Sequence, residues 1–233
     1  TNEDEHKYLD SYLSANVIGS RALSSVKVVS KESGYGLQVT TKNITYCTKV
    51  MYQNALATAG VENAEITVAG PFNISGTAAL VGAMEAYSDM TGEALKPENV
   101  ETATNELVTT SQIAEQIGDQ DKAEELIGAV KDVIVSEEVK DPEKMDEVIE
   151  DTAQKLEVTL TEEQVQMIRE LMEKISSLDL DINSLKEQAQ GLYEKLENLN
   201  IDLGISQEEV DGILAQIGNW FSGIWEQIKS WFS

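Results

Sequence analysis

Apolar positions along this chain recur with two different periods, and the change of period divides it. Near the start, Tyr8, Leu9, Tyr12 and Leu13 share one side of a short acidic-fronted helix predicted over 3–13. The stretch 17–30 is rich in Val, Ile and Ser and ends in Val26-Lys27-Val28-Val29, which reads as a strand. Gly34-Tyr35-Gly36 is a turn signal, and alternation resumes at 37–41, so the pattern predicts a hairpin over 26–41. From 48 to 59 the period lengthens, with Val50, Met51, Ala55, Leu56 and Ala59 at helical spacing and Gly60 as the stop. A third strand follows at 65–69, closed by Gly70-Pro71, and a helix opens at Ser75-Gly76-Thr77 and runs to Met90. The order strand, helix, strand predicts a right-handed crossover with 37–41 and 66–69 parallel in one sheet.

Beyond Pro97 the pattern is helical throughout. Helices are predicted over 97–117, 121–135, 142–156, 162–177, 184–198 and 207–232, each with an apolar stripe and an acidic outer face. Gly118 stops the first, and Asp141 with Pro142 caps the third. Thr161 and Ser206, 45 residues apart, each open a helix in a capping-box pattern, which hints at a duplicated helical hairpin. The expected fold class is therefore α+β: a small mixed three-stranded sheet with βαβ-type helices, followed by an all-α region of about six helices. The expected domains are a head over 1–95 and an acidic helical region over 96–233.

Charge sharpens that division. The chain of 233 residues has 42 acidic and 17 basic side chains, a formal net charge of −25. Residues 1–95 carry 10 acidic and 6 basic groups, net −4, so residues 96–233 carry the other 32 and 11, net −21. A field of this sign repels phosphate backbones and excludes nucleic acid as a partner. It also opposes docking on anionic lipid.

The last helix stands apart. It holds all three tryptophans, and Trp220, Phe221, Ile224, Trp225, Ile228, Trp231 and Phe232 lie within an arc of roughly 140° on its wheel. Three covers are open to this face: the protein's own core, a partner, or the headgroup layer of a membrane. Its neighbours Glu208, Glu209, Asp211 and Glu226 complement an anionic surface poorly. Between residues 88 and 219 only Tyr193 supplies a ring, so the helical region has a use for large side chains, and packing within the protein is the favoured cover.

Candidate chemistry is sparse. One cysteine, Cys47, forms no internal disulfide, and one histidine, His6, builds neither a Cys/His zinc site nor a catalytic triad away from the chain start. Ser24 and Lys27 have the spacing of a serine acyl-enzyme pair, but in a strand residues three apart face opposite ways. Asp179-Leu180-Asp181-Ile182-Asn183 opens like a calcium loop and then fails, with Ser184, Lys186 and Gln190 where glycine, a hydrophobe and a bidentate glutamate belong. Cys47, beside Tyr46 and Lys49, reads as a small packing residue rather than an activated thiol. No catalytic, cofactor or metal site is expected, and no run of about 18 apolar residues is present to span a bilayer.

Four runs carry a family resemblance: AGPFNISGTAAL at 69–80, TNELVTTSQIAEQIG at 104–118, IGSRALSS at 18–25 and YQNALATAG at 52–60. They resemble the bacterial family known as domain of unknown function 1002, over most of 5–175. The resemblance implies a secreted or cell-surface protein of Gram-positive bacteria from which a signal peptide has been removed. It also implies a further segment ahead of Thr1, which would make this chain a trimmed product. It implies no activity, cofactor or catalytic residue. The expectation is a non-enzymatic, envelope-associated binding module with a protein or envelope partner. A peripheral membrane protein held by 207–232 and a carboxylate-based hydrolase are the alternatives.

Overall fold

The computed structural model describes residues 22–92, 94–180 and 185, all within one compact unit spanning residues 1–191. The predicted helices at 3–13 and 207–232, with the aromatic face from Trp220 to Phe232, lie outside the described residues, as does all but Leu185 of the helix at 184–198. Among the described residues nine elements follow one another: β1 (Ser25–Ser30), β2 (Leu37–Ile44), α1 (Lys49–Ala59), β3 (Ala64–Ile74), α2 (Thr77–Thr91), α3 (Pro97–Ile117), α4 (Gln120–Ser136), α5 (Pro142–Lys155) and α6 (Glu162–Ser176).

The sheet is mixed and three-stranded, in the order β1-β3-β2. The parallel pairing of β2 with β3 is as predicted, with Leu37 opposite Ala64, Val39 opposite Ile66 and Thr41 opposite Val68. The predicted hairpin over 26–41 does not form. β3 inserts between its arms, and β1 pairs antiparallel with β3, Val26 opposite Val68 and Val28 opposite Ile66. The reason lies in which strand has most to bury. β3 offers Ala64, Ile66 and Val68 fully buried on one face, so it gains most from neighbours on both edges, and Ser-rich β1 is left outside. Asn63, at φ 47°, clamps the connection as it crosses the end of β3. Its carbonyl accepts from Lys31 N at 2.7 Å and its Oδ1 from Gly36 N at 3.2 Å.

Nor does Gly70-Pro71 end the third strand, which runs on to Ile74. Proline lacks a donor, and beyond Ala69 the β1 edge of β3 has no strand partner among the described residues, where Pro71 occupies an edge. A register irregularity between Lys42 and Ile44 accommodates Asn43 at φ 58°, whose Nδ2 donates to Gly70 O at 2.9 Å.

One face of the sheet carries α2 over β1 and α1 over β2. Tyr52 of α1 is fully buried there and donates its hydroxyl to Gly76 O at 2.6 Å. The remaining helices begin and end where their caps dictate. Asp119 Oδ1 accepts from Lys122 N, Asp141 Oδ1 from Glu143 N, and Thr161 with Gln164 closes the predicted capping box in both directions. α3 lies against α1, α4 packs on α3, α5 packs on α4, and α6 touches α3, α4 and α5.

Gly76 shows how tightly sheet and helix meet. Its φ is 91°, and a Cβ there would sit 2.5 Å from both Ile44 Cγ2 and the Tyr52 hydroxyl. Gly76→Ala is expected to cost about 3 kcal/mol in urea denaturation, from left-handed strain together with overpacking. Gly34→Ala, also at positive φ but facing open space, is expected to cost only about 1 kcal/mol.

Candidate functional site

Two polar centres emerge from the packing, one buried and one open. The buried centre joins α1, α3 and α4. Lys131 and Glu106 form an ion pair at 2.8 Å, with side chains 6% and 1% exposed. The three ammonium protons of Lys131 match three acceptors: Glu106 Oε1, Asn54 O at 2.9 Å and Thr58 Oγ1 at 3.3 Å. Thr58 donates in turn to Glu106 Oε2. Every charge in this cluster is met, which is what lets an ion pair persist away from water.

Helical spacing places these groups where sequence reasoning does not look for them. Glu124, Ile127, Lys131 and Ile134 recur at intervals of three and four, so two charged residues ride the apolar stripe of α4. Glu106 does the same between Ala103, Leu107 and Ile113 on α3. The signal was legible as charge interrupting an apolar face, and hydropathy alone hides it.

Near the other end of α1, Thr48 serves two partners. Its Oγ1 accepts from Met51 N at 3.2 Å as the helix cap and donates to Glu124 Oε1 at 2.6 Å. Glu124 is only 4% exposed. Burial pushes its carboxyl up to about 7, the Asp121 charge adds to that, and the hydrogen bonds from Thr48 and Gln120 pull it part of the way back.

The open centre is a groove of about 780 Å³ between α5 and α6, closed at one end by the loop joining them. Ala153, Val158, Leu160 and Val165 give it an apolar floor, while Asp146, Glu150, Glu157 and Glu162 set four carboxylates around it. The single cation of the lining, Arg169, donates to Asp146 Oδ2 at 2.7 Å. The other oxygen, Asp146 Oδ1, is buried and has no hydrogen-bond partner among the described residues. The loop is held by Glu157 at φ 54°, whose N–H donates to Gln154 O, and by Val158 N to Ala153 O at 2.8 Å. The arrangement suits a cationic group with an apolar stem.

The residues singled out from sequence do not assemble into either centre. Lys27 lies on the outward face of β1, and Ser24 precedes the strand. Cys47 is buried in the sheet core, its N–H donating to Ser75 O at 3.1 Å. Asp179 pairs with Lys96 at 3.4 Å, and residues 181–183 of the calcium-like loop lie outside the described residues. Among the described residues no group of three or more His, Cys, Asp or Glu side chains is placed to hold a metal. No helix among them is long and apolar enough to cross a membrane.

The carboxyl of Glu124 makes folding pH-dependent. A group that holds its proton more tightly folded than unfolded contributes most below its unfolded pKa, and that contribution is lost as pH rises toward about 7. Glu124→Gln is therefore expected to unfold like wild type near pH 4 and to be about 2–3 kcal/mol more stable near pH 8, read from urea midpoints at each pH.

The model of the family described as protein of unknown function (DUF1002) matches residues 1–192. The uncharacterized protein YpuA of Bacillus subtilis is 40% identical over 189 residues, covering 81% of this chain. The match spans 65% of that relative's length. No solved structure matches the chain. With the family's model covering most of its length, the chain belongs to the DUF1002 family, whose function is unknown.

Proposed function

We propose that this protein is a secreted, cell-surface binding module of the Gram-positive envelope, acting without catalysis, and that the α5–α6 groove receives a cationic, partly apolar segment of a protein partner. The observation that carries this reading is the groove itself: four carboxylates over an apolar floor, with Arg169 as the sole counter-charge of the lining. A lysine or arginine side chain matches it, its methylene stem on Val158 and Leu160 and its head among the acids. The net charge of −25 steers cationic partners inward and turns nucleic acid away. The compartment rests on the family resemblance and on kinship with a Bacillus protein.

Fluorescence anisotropy with a labelled peptide of alternating lysine and leucine tests the groove. Wild type is expected to bind it, with affinity falling as salt rises. Glu150→Lys with Glu157→Lys, both at exposed positions, is expected to weaken binding at least tenfold without lowering the melting temperature. Equal binding by wild type and variant would overturn the assignment of the groove. Cleavage of the peptide or of cell-wall polymers by the pure protein would overturn the non-catalytic reading.

A further inference from the structure

We propose that the cationic occupant of the α5–α6 groove is the outer sheet face of a second copy of this chain, so that molecules join head to tail. This rests on the reading of the groove as a receptor for cations and adds the identity of the partner.

The sheet has a second face that none of the described helices covers. α2 and α1 pack against the face bearing Val28, Ile66 and Val39, and register places the alternate residues on the other side. There Lys27 stands opposite Thr67, which stands opposite Thr40, and Lys42 stands opposite Ala69. Lys27, Thr40 and Lys42 are exposed, and Thr40 Oγ1 donates to Thr67 Oγ1 at 3.3 Å in the middle of the face. Val29, Glu65 and Gln38 form the next row of the same face. Lys27 and Lys42 rise at its two edges, two strand spacings across and two residues along the strand from one another, roughly 12 Å apart.

Charge distinguishes this surface from the rest. Lys31, just past β1, is held by Glu65 at 2.6 Å and lies over the Tyr35 ring, 5.2 Å from its centre. Lys27 and Lys42 form no ion pair among the described residues. Three lysines against one glutamate make this face positive in a chain of net charge −25. The groove carries the opposite arrangement, four carboxylates against one arginine.

A positive face and an acidic groove on one chain are complementary in charge between copies. They are also different surfaces. Contact of one with the other leaves a free face and a free groove at the two ends, so association extends into open chains or closes as a ring. The overall negative charge resists this at low ionic strength. At about 0.15 M salt the Debye length is about 8 Å, which screens the distant charges while facing groups still attract.

Sedimentation velocity at about 0.15 M salt, from about 10 µM to about 1 mM protein, reads the outcome. For wild type the weight-average mass is expected to rise above the 25.6 kDa of one chain as concentration increases. Lys27→Glu with Lys42→Glu, and separately Glu150→Lys with Glu157→Lys, are each expected to stay at that mass. An equimolar mixture of the two variants is expected to associate again, because the unaltered face of one meets the unaltered groove of the other. A wild type that remains at 25.6 kDa overturns the proposal, as does association unchanged in either variant, which would place the contact elsewhere. The lysine–leucine peptide separates the two readings. If it binds to a wild type that stays monomeric, the groove reading survives and its partner is another protein; if it does not bind, both readings fall.

Discussion

Burying an ammonium and a carboxylate together costs several kcal/mol per ion unless every proton and lone pair is met, and in this protein that constraint falls on Lys131 and Glu106. Their partners come from three elements, because Asn54 and Thr58 belong to α1, Glu106 to α3 and Lys131 to α4. A shift of one helix by a single turn, about 5.4 Å, would strand a charge in the core. The pair thereby sets the register of α3 and α4 against α1, which itself lies on the sheet. α5 and α6 are packed on those helices in turn, so the groove is positioned at two removes from one ion pair. Thr48 and Glu124 add a second tie between α1 and α4.

Elements whose limits are local were legible from the sequence. α3 begins at Pro97 and ends at Ile117, stopped by Gly118 as predicted, Asp141 and Thr161 cap α5 and α6, and β2 pairs parallel with β3 across α1. What failed was competition between segments. A turn signal at Gly34-Tyr35-Gly36 argues for a hairpin, yet pairing is decided by which strand gains most from the centre, and the more apolar β3 takes it. Pro71 ends a strand only when both edges need donors, and beyond Ala69 the β1 side of β3 has no strand to serve among the described residues.

The candidate sites were less legible, for a related reason. Glu106, Glu124 and Lys131 look like surface charges when tallied by composition, and only their position on helical stripes shows them to be interior. The α5–α6 groove depends on how two helices splay, which the pattern of neither reveals. Charge segregation, by contrast, was visible from the outset. The acidic excess of residues 96–233 reappears as the carboxylates of the groove, while three of the six basic residues of 1–95, Lys27, Lys31 and Lys42, gather about one sheet face.

The dependence of the fold on the buried pair is tested most directly by a double-mutant cycle in urea with wild type, Glu106→Leu, Lys131→Met and the double variant. Each single change leaves one charge buried and alone, and is expected to cost about 3–5 kcal/mol. The double variant removes both charges and is expected to be at least about 2 kcal/mol less destabilised than the sum of the singles. Additive losses, or single variants within about 1 kcal/mol of wild type, would contradict the account.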